Sequence, residues 1–294
     1  MHRGWTTTTA LVVFSLVRLM PAGEGISRDL NDAEADKAMD EIFTRAREIT
    51  RVEARLRTIK TGIKKEGRAT VAHERIKYEA PDRVWWLNQG EVEGEAKWED
   101  CALLIMADGA IWDIQPRFAD EPRRIERRRS NLMAKEGQSL NLAAFLVGSD
   151  IASAKEVRDR FEVTAAIEDE GTANASYCFT LKPKQEGAVL ELWFRVGQAL
   201  PWRVKSTERR KLVMPGSAEG KYKTVEETRE LLEVRTNLDG LPPFPPETFL
   251  VPVEKNCEIV DADSQRPIAS EELAVEMKAL RERLEGSRAA APQR

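Results

Sequence analysis

The chain has 294 residues, of which 41% are hydrophobic and 33% charged, a balance typical of a globular protein with a sizeable core. Its formal net charge is −4, so we expect no general attraction to nucleic acid. Two histidines and three scattered cysteines argue against a Ser-His-Asp triad and against a His-rich or Cys-rich metal site. No P-loop and no GxGxxG motif follows a strand-like segment, so no cofactor and no metal are expected.

The first residues have the pattern of a secretory signal peptide. Arg3 supplies a positive charge, residues 10–17 form a short apolar run, and small residues follow at 21–23. The run is too short to cross a bilayer as a helix. We therefore expect residues 1–25 to be a cleaved signal peptide, with an uncleaved anchor or a disordered leader as the alternatives. No cysteine precedes Cys101, so we expect no lipid anchor at the cleavage site and a soluble, extracytoplasmic protein.

The next elements are a helix and three strands. Residues 32–47 carry apolar side chains at helical spacing after a capping residue, Asn31 or Asp32. The period then changes to two, which predicts a half-exposed strand over 50–61. Strand-like segments at 68–78 and 83–87 are separated by Ala80-Pro81, because proline cannot donate to a strand ladder.

The central feature of the sequence is a hairpin within residues 102–116. Asp108-Gly109 supplies the positive φ angles of a type I′ turn. Counting outward from the turn pairs Ala107 with Ala110, Ile105 with Trp112, and Leu103 with Ile114. The opposite face carries Leu104, Met106 and Ile111, with Asp113 as its polar residue. Two apolar faces predict a hairpin covered on both sides, which an ordinary core and a lined cavity both explain.

The second half of the chain is mainly strands. Residues 88–100 form an acidic loop, residues 139–147 predict a short apolar helix, and residues 154–160 predict a second. Strands are predicted at 123–129, 161–167, 177–182, 188–196, 202–208 and 248–253, a loop at 212–223, and either strand or helix at 224–237. A helix begins at Ser270 with Leu273, Met277, Leu280 and Leu284 at heptad spacing. The order favours a mainly β, α+β fold over a parallel α/β fold.

A few polar residues are candidates for a catalytic or binding role. His73 is expected to be a solvated surface residue, Asp108 serves the turn, and Asp113 takes a hydrogen-bonded or rim position in preference to a catalytic one. The basic strand 123–129 either meets anionic groups or is a solvated face. With three cysteines one must stay unpaired, so we expect no obligatory disulfide, with Cys178 packed as a small hydrophobe.

Several motifs in order resemble one family. A proline-opened strand at 81–86 is followed by an ADG..W...P hairpin at 106–116, by F-x-L-x-P-K at 179–184, and by N-x-x-x-x-P within 237–252. This succession is similar to the LolA-like outer-membrane lipoprotein carriers, over about residues 30–261.

The resemblance implies a half-open antiparallel β-barrel with a helical lid over residues 29–262. The extra C-terminal helix and polar tail at 263–294 depart from the family pattern. It implies a monomeric periplasmic carrier and not an enzyme. Such a carrier takes lipids or lipidated proteins from an inner-membrane release complex and delivers them to an outer-membrane acceptor. The family places a lid-latching arginine where this chain has Ala80, so we expect a looser lid.

The acyl-chain cavity implied by the resemblance needs an apolar wall. Candidate wall residues lie on the alternating apolar positions of the strands, where plain core packing is the equal alternative: Val84, Trp86, Leu103, Ile105, Trp112, Ile114, Leu190, Leu192, Phe194, Trp202 and Val204. Candidate lid residues come from the helix at 139–147, namely Leu142, Phe145 and Leu146, together with the helix at 32–47. Besides a carrier, the alternatives are a lipid-sensing or structural module without carrier turnover, and an enzyme.

Overall fold

The structure is a computed structural model that describes residues 26–62, 69–90, 101–116, 122–129, 153–212, 221–252 and 257–289. The helices within these residues are α1 (Asp32–Glu48), α2 (Ala154–Arg160) and α3 (Ser270–Ala289). The strands are β1 (Ile26–Asp29), β2 (Arg51–Thr61), β3 (Thr70–Glu79), β4 (Arg83–Asn88), β5 (Ala102–Ala107), β6 (Ala110–Ile114), β7 (Arg123–Arg129), β8 (Phe161–Glu170), β9 (Ser176–Pro183), β10 (Val189–Arg195), β11 (Arg203–Leu212), β12 (Lys221–Thr236), β13 (Cys257–Asp261) and β14 (Arg266–Pro267).

All fourteen strands form one sheet in the order β1-β8-β9-β10-β11-β12-β2-β3-β4-β5-β6-β7-β13-β14. All neighbouring strands are antiparallel except for one pair, β7 and β13, which are parallel. The sheet is open, with β1 at one edge and β14 at the other. The predicted fold class is confirmed, a mainly β chain forming a half-open barrel with helices.

Helix α1 begins where the sequence predicts. The Asn31 side chain accepts from the Glu34 backbone N–H at 3.0 Å, and the Glu34 carboxylate accepts from the Asn31 N–H at 3.0 Å. This capping box satisfies N–H groups that the first turn leaves without intrahelical partners. The helix buries one stripe, made of Ala35, Ala38, Met39, Ile42 and Ala46.

The hairpin register is confirmed at every predicted pair. Asp108 and Gly109 have φ angles of 51° and 75°, as a type I′ turn requires. Both faces are covered, as predicted, because the residues of one face belong to a core cluster with α3 and those of the other to a cluster that includes the end of α1. We call these two sides of the sheet the α3 face and the α1 face.

The structure corrects several predicted elements. Of the strand predicted at 248–253, the described residues 248–252 are not strand. A 3₁₀ turn, Pro246–Phe249, begins at the second of two adjacent prolines, which fix φ and lack donors. The ambiguous segment 224–237 is strand up to Thr236, and β12 starts at Lys221, inside the predicted loop. Strands β1, β13 and β14 were not predicted.

Other predictions lie outside the described residues. These are the signal peptide at 1–25, most of the acidic loop at 88–100, and the apolar helix at 139–147 with Leu142, Phe145 and Leu146. Among the residues that are described, no helix has the length and apolar character needed to cross a membrane.

Candidate functional site

The predicted wall residues do not form one wall. Six of them have neighbours on the α1 face: Val84, Trp86, Leu190, Leu192, Phe194 and Val204. Four lie on the α3 face: Leu103, Ile105, Trp112 and Ile114. The division follows from the two-residue period, since Trp86 pairs with Leu104 and the flanking Leu103 and Ile105 point the other way. Trp202 is half-buried, with the Arg195 guanidinium 5.3 Å from its ring centre.

The α3 face of the hairpin is core. Ile105 and Trp112 are each 1% exposed, and they share a cluster with the buried stripe of α3: Leu273, Met277, Leu280 and Leu284. Phe249 from the 3₁₀ turn packs into the same cluster and meets Phe244 edge-on at 6.1 Å. The heptad stripe of the extra C-terminal helix thus covers the face that we expected to line a cavity.

Helix α1 packs on the α1 face against two groups of strands. Its first half contributes Ala35, Ala38, Met39 and Ile42 to a cluster with strands β8 to β11. Its last turn contributes Ala46 to a separate cluster with β2, β3, β4 and β5. Three of these five side chains are alanine methyl groups, so the helix approaches the sheet through small residues.

Helix α1 is fastened at both ends by polar contacts. At its start, Arg158 pairs with Asp32 at 2.9 Å and Asp36 at 2.7 Å. At its end, Arg45 donates to the Gly197 carbonyl. The Asn237 side chain also donates to the Glu48 carbonyl at 3.0 Å. Helix α1 is therefore held by Arg158 of α2, by Asn237 in the turn after β12, and by its own Arg45.

A buried carboxylate interrupts the apolar α1 face. Glu74 is 4% exposed on β3, where one oxygen accepts from the Thr58 hydroxyl at 2.6 Å and the other from the Trp86 indole at 2.7 Å. The three side chains come from three adjacent strands. This group was not predicted, although Glu74 lies on the same face of β3 as the buried Ile76 and Tyr78.

Further charges lie along the same face. Glu227 on β12 pairs with Lys60 at 3.0 Å and Arg229 at 2.8 Å. Burial by itself would raise the pKa of Glu227, but the two cations outweigh burial and the pKa is lowered. Asp113 is half-buried, and burial raises its pKa against the opposing effect of Arg128. The α1 face therefore carries charged residues on β12, β2, β3 and β6 beside its two apolar clusters.

The basic strand β7 is not one solvated patch. Arg123 is 1% exposed and donates to the carbonyls of Gln115 and Cys101, each at 3.0 Å. Arg127 lies 5.5 Å from the Trp112 ring centre and pairs with Asp261 at 3.2 Å. Arg123 and Arg127 thus contact buried groups on the α3 face. His73 also differs from its prediction, since its Nε2 is buried.

All three cysteines are free. Cys178 is half-buried on β9, and burial, with Glu168 and Glu191 nearby, raises the pKa of its thiol to about 11. The thiol therefore stays protonated near pH 8, and its thiolate fraction there is roughly 100-fold below that of a thiol of ordinary pKa.

We expect iodoacetamide to label Cys178 much more slowly in folded protein than in denatured protein at pH 8, with the rate rising toward pH 10. Peptide mass spectrometry measures each cysteine separately, and the denatured sample is the control. Equal rates in the two samples would show that the thiol is not protected.

No protein-family model matches the chain, and no curated protein matches it. Solved structures do match, at probability 1.00. The MucA/MucB complex of Pseudomonas aeruginosa matches at 11% identity and a TM-score of 0.38, over 77% of this chain and 63% of that chain. A LolA superfamily protein from Nitrosomonas europaea matches at 11% identity and a TM-score of 0.30, over 71% and 95%.

A domain assigned to outer membrane lipoprotein sorting, from Vibrio parahaemolyticus, matches at 12% identity and a TM-score of 0.28, over 71% and 92% of the two chains. These identities and TM-scores describe a distant likeness. The likeness concerns the fold alone.

Proposed function

We propose that this protein is a non-enzymatic binder of acyl chains, which enter on the α1 face beneath helix α1. We further propose that it acts in the periplasm as a carrier of lipids or lipidated proteins toward the outer membrane. One observation supports this most directly: a single helix, packed through small side chains and fastened at its ends by polar contacts, covers two apolar clusters.

An acyl chain that displaces α1 must match its polar contacts and replace the apolar contacts of its buried stripe. Ion pairs as exposed as Arg158 with Asp32 and Asp36 are worth about 0.2–1 kcal/mol each. Burial of an acyl chain gains about 0.8 kcal/mol per CH₂, so a few methylene groups match these two ion pairs. The remaining methylene groups replace the contacts that the sheet makes with the buried side chains of α1. Leu190, Leu192 and Phe194 would then contact the ligand in place of the helix.

The test uses two adjacent residues that point to opposite faces of β5. Leu104 is partly buried on the α1 face beside Trp86, whereas Ile105 is core on the α3 face. We measure displacement of a fluorescent fatty acid by saturated fatty acids of increasing length. Affinity is expected to rise with length and then level off once the site is full.

Leu104→Trp is expected to weaken binding of the longest chains most, because the added ring occupies the α1 face. Ile105→Val, the control, is expected to lower the free energy of unfolding by about 0.5–1.5 kcal/mol and to leave the length series unchanged. A flat series in the wild type would rule out acyl binding. Tight binding without transfer of the probe to acceptor vesicles would instead favour the sensing or structural module.

A further inference from the structure

Exposed apolar side chains gather at one end of the sheet. Five large apolar side chains of the described residues are exposed: Ile26 at 66%, Val196 at 47%, Leu232 at 50%, Leu238 at 57% and Val275 at 70%. Single exposed apolar residues are ordinary, but a group of them at one place is not. All but Val275, which belongs to α3, lie at the end of the sheet where α1 finishes.

The antiparallel order places them there. Strand β10 ends at Arg195 and β11 begins at Arg203, so Val196 lies in the turn that joins them at this end. Strand β12 also finishes at this end, and Leu238 lies in the turn after it. Ile26 lies opposite Glu170, the last residue of β8, which runs toward the same end.

Specific contacts join these segments around the end of α1. The Leu231 N–H donates to the Trp202 carbonyl at 2.8 Å, which sets Leu232 beside the turn of Val196. Arg45 of α1 donates to the Gly197 carbonyl in that turn. The register of β12 against β2 shifts between Leu231 and Glu233, and such a bulge redirects the side chain of Leu232. We call the surface of Val196, Leu232 and Leu238 the apolar rim.

Arginines surround the apolar rim. Arg45 and Arg47 lie in the last turn of α1, Arg235 is exposed near the end of β12, and Arg195 precedes Val196. Acids are also present. Asp239 accepts in the capping box of Thr236, and Glu48 lies on the helix end. The exposed Glu233 follows Leu232 and pairs with Arg55 at 3.2 Å, and Glu53 lies opposite Arg235. The chain is acidic overall, so this collection of arginines is a local feature.

We propose that the apolar rim docks on a bilayer containing anionic phospholipid. Apolar side chains enter the acyl boundary while arginines contact lipid phosphates, the combination by which peripheral proteins bind membranes. The half-buried Trp202, stacked under Arg195, has the amphipathic character suited to that interface. The proposal stands apart from acyl-chain binding, because the rim lies outside the residues proposed to contact the acyl chain.

The experiment is flotation of the full chain with vesicles of phosphatidylcholine alone and with added phosphatidylglycerol. The wild type is expected to float with the anionic vesicles and to dissociate as salt rises. Leu232→Ser combined with Leu238→Ser, and separately Arg47→Glu combined with Arg235→Glu, are each expected to weaken binding about tenfold or more. Val275→Ser combined with Lys278→Glu, on exposed positions of α3, is the matched control and is expected to bind as the wild type does.

Several results would overturn the proposal. The wild type failing to bind anionic vesicles, or binding both vesicle types equally, would contradict it, as would rim variants that bind normally. Self-association that the rim substitutions abolish, without vesicle binding, would assign the rim to a protein interface. Fatty-acid displacement is measured in the same variants. Because the rim substitutions lie outside the residues proposed to contact the acyl chain, loss of vesicle binding with normal displacement concerns the rim alone.

Discussion

Replacing Leu273 by alanine is expected to lower the free energy of unfolding by about 2–5 kcal/mol, because a buried leucine loses its transfer energy and leaves a cavity. Leu273 is 0% exposed and packs in the cluster that contains Trp112, Ile105 and Phe249. Helix α3 is also tied to the sheet by Arg127, which pairs with Glu276 at 3.1 Å. A sheet held on both sides cannot relax to fill the space, so we expect the upper part of the range.

Urea denaturation measures the effect as a lower midpoint with an unchanged slope. Val275→Ala is the control on the same helix, because Val275 is 70% exposed, and its effect is expected to stay within about 0.5 kcal/mol. If Leu273→Ala lowered the free energy of unfolding no more than the control does, α3 would not be part of the core. Acyl-chain binding is expected to survive the substitution, since α3 and α1 cover opposite faces.

The hairpin could be predicted because its information is local. Asp108-Gly109 fixes the turn, the turn fixes the register, and the register assigns each side chain to a face. What covers each face is not local information. The resemblance placed a cavity beside Trp112, whereas the heptad stripe starting at Leu273 covers that residue.

Strand β13 was missed for a related reason. Its five residues pair in parallel with β7, which lies far away in sequence, so no local turn signals the pairing. The 3₁₀ turn at Pro246–Phe249 shows the opposite error. Its apolar residues have strand propensity, but the backbone limits of the prolines decide the local structure.

The Glu74 group could not be found from one segment alone. A glutamate in an alternating strand reads as a solvent-facing residue, and only the joint register of β2, β3 and β4 brings Thr58 and Trp86 to it. Once the register is known, the interpretation changes: Glu74 is opposite Leu56 on a buried face. A buried carboxylate persists where its oxygens have donors, and here each oxygen has one.

Replacing Glu74 by leucine is expected to cost about 2–4 kcal/mol in the free energy of unfolding. The substitution keeps an apolar volume but leaves the Thr58 hydroxyl and the Trp86 indole N–H without their acceptor, at about 1–3 kcal/mol for each buried group. Adding Trp86→Phe to Glu74→Leu removes one orphaned donor, so the double variant is expected to lose less than the sum of the two single variants.

Glu74→Gln is the sharper comparison. The amide oxygen can accept from the Trp86 N–H, and the Thr58 hydroxyl can turn to accept from the amide N–H₂. Both partners then remain bonded, so Glu74→Gln is expected to cost less than half of what Glu74→Leu costs in the same urea titration. If Gln and Leu were equally damaging, the negative charge itself would be required. The nearby cation would then be sought in Arg229, which lies opposite Thr58 on β12.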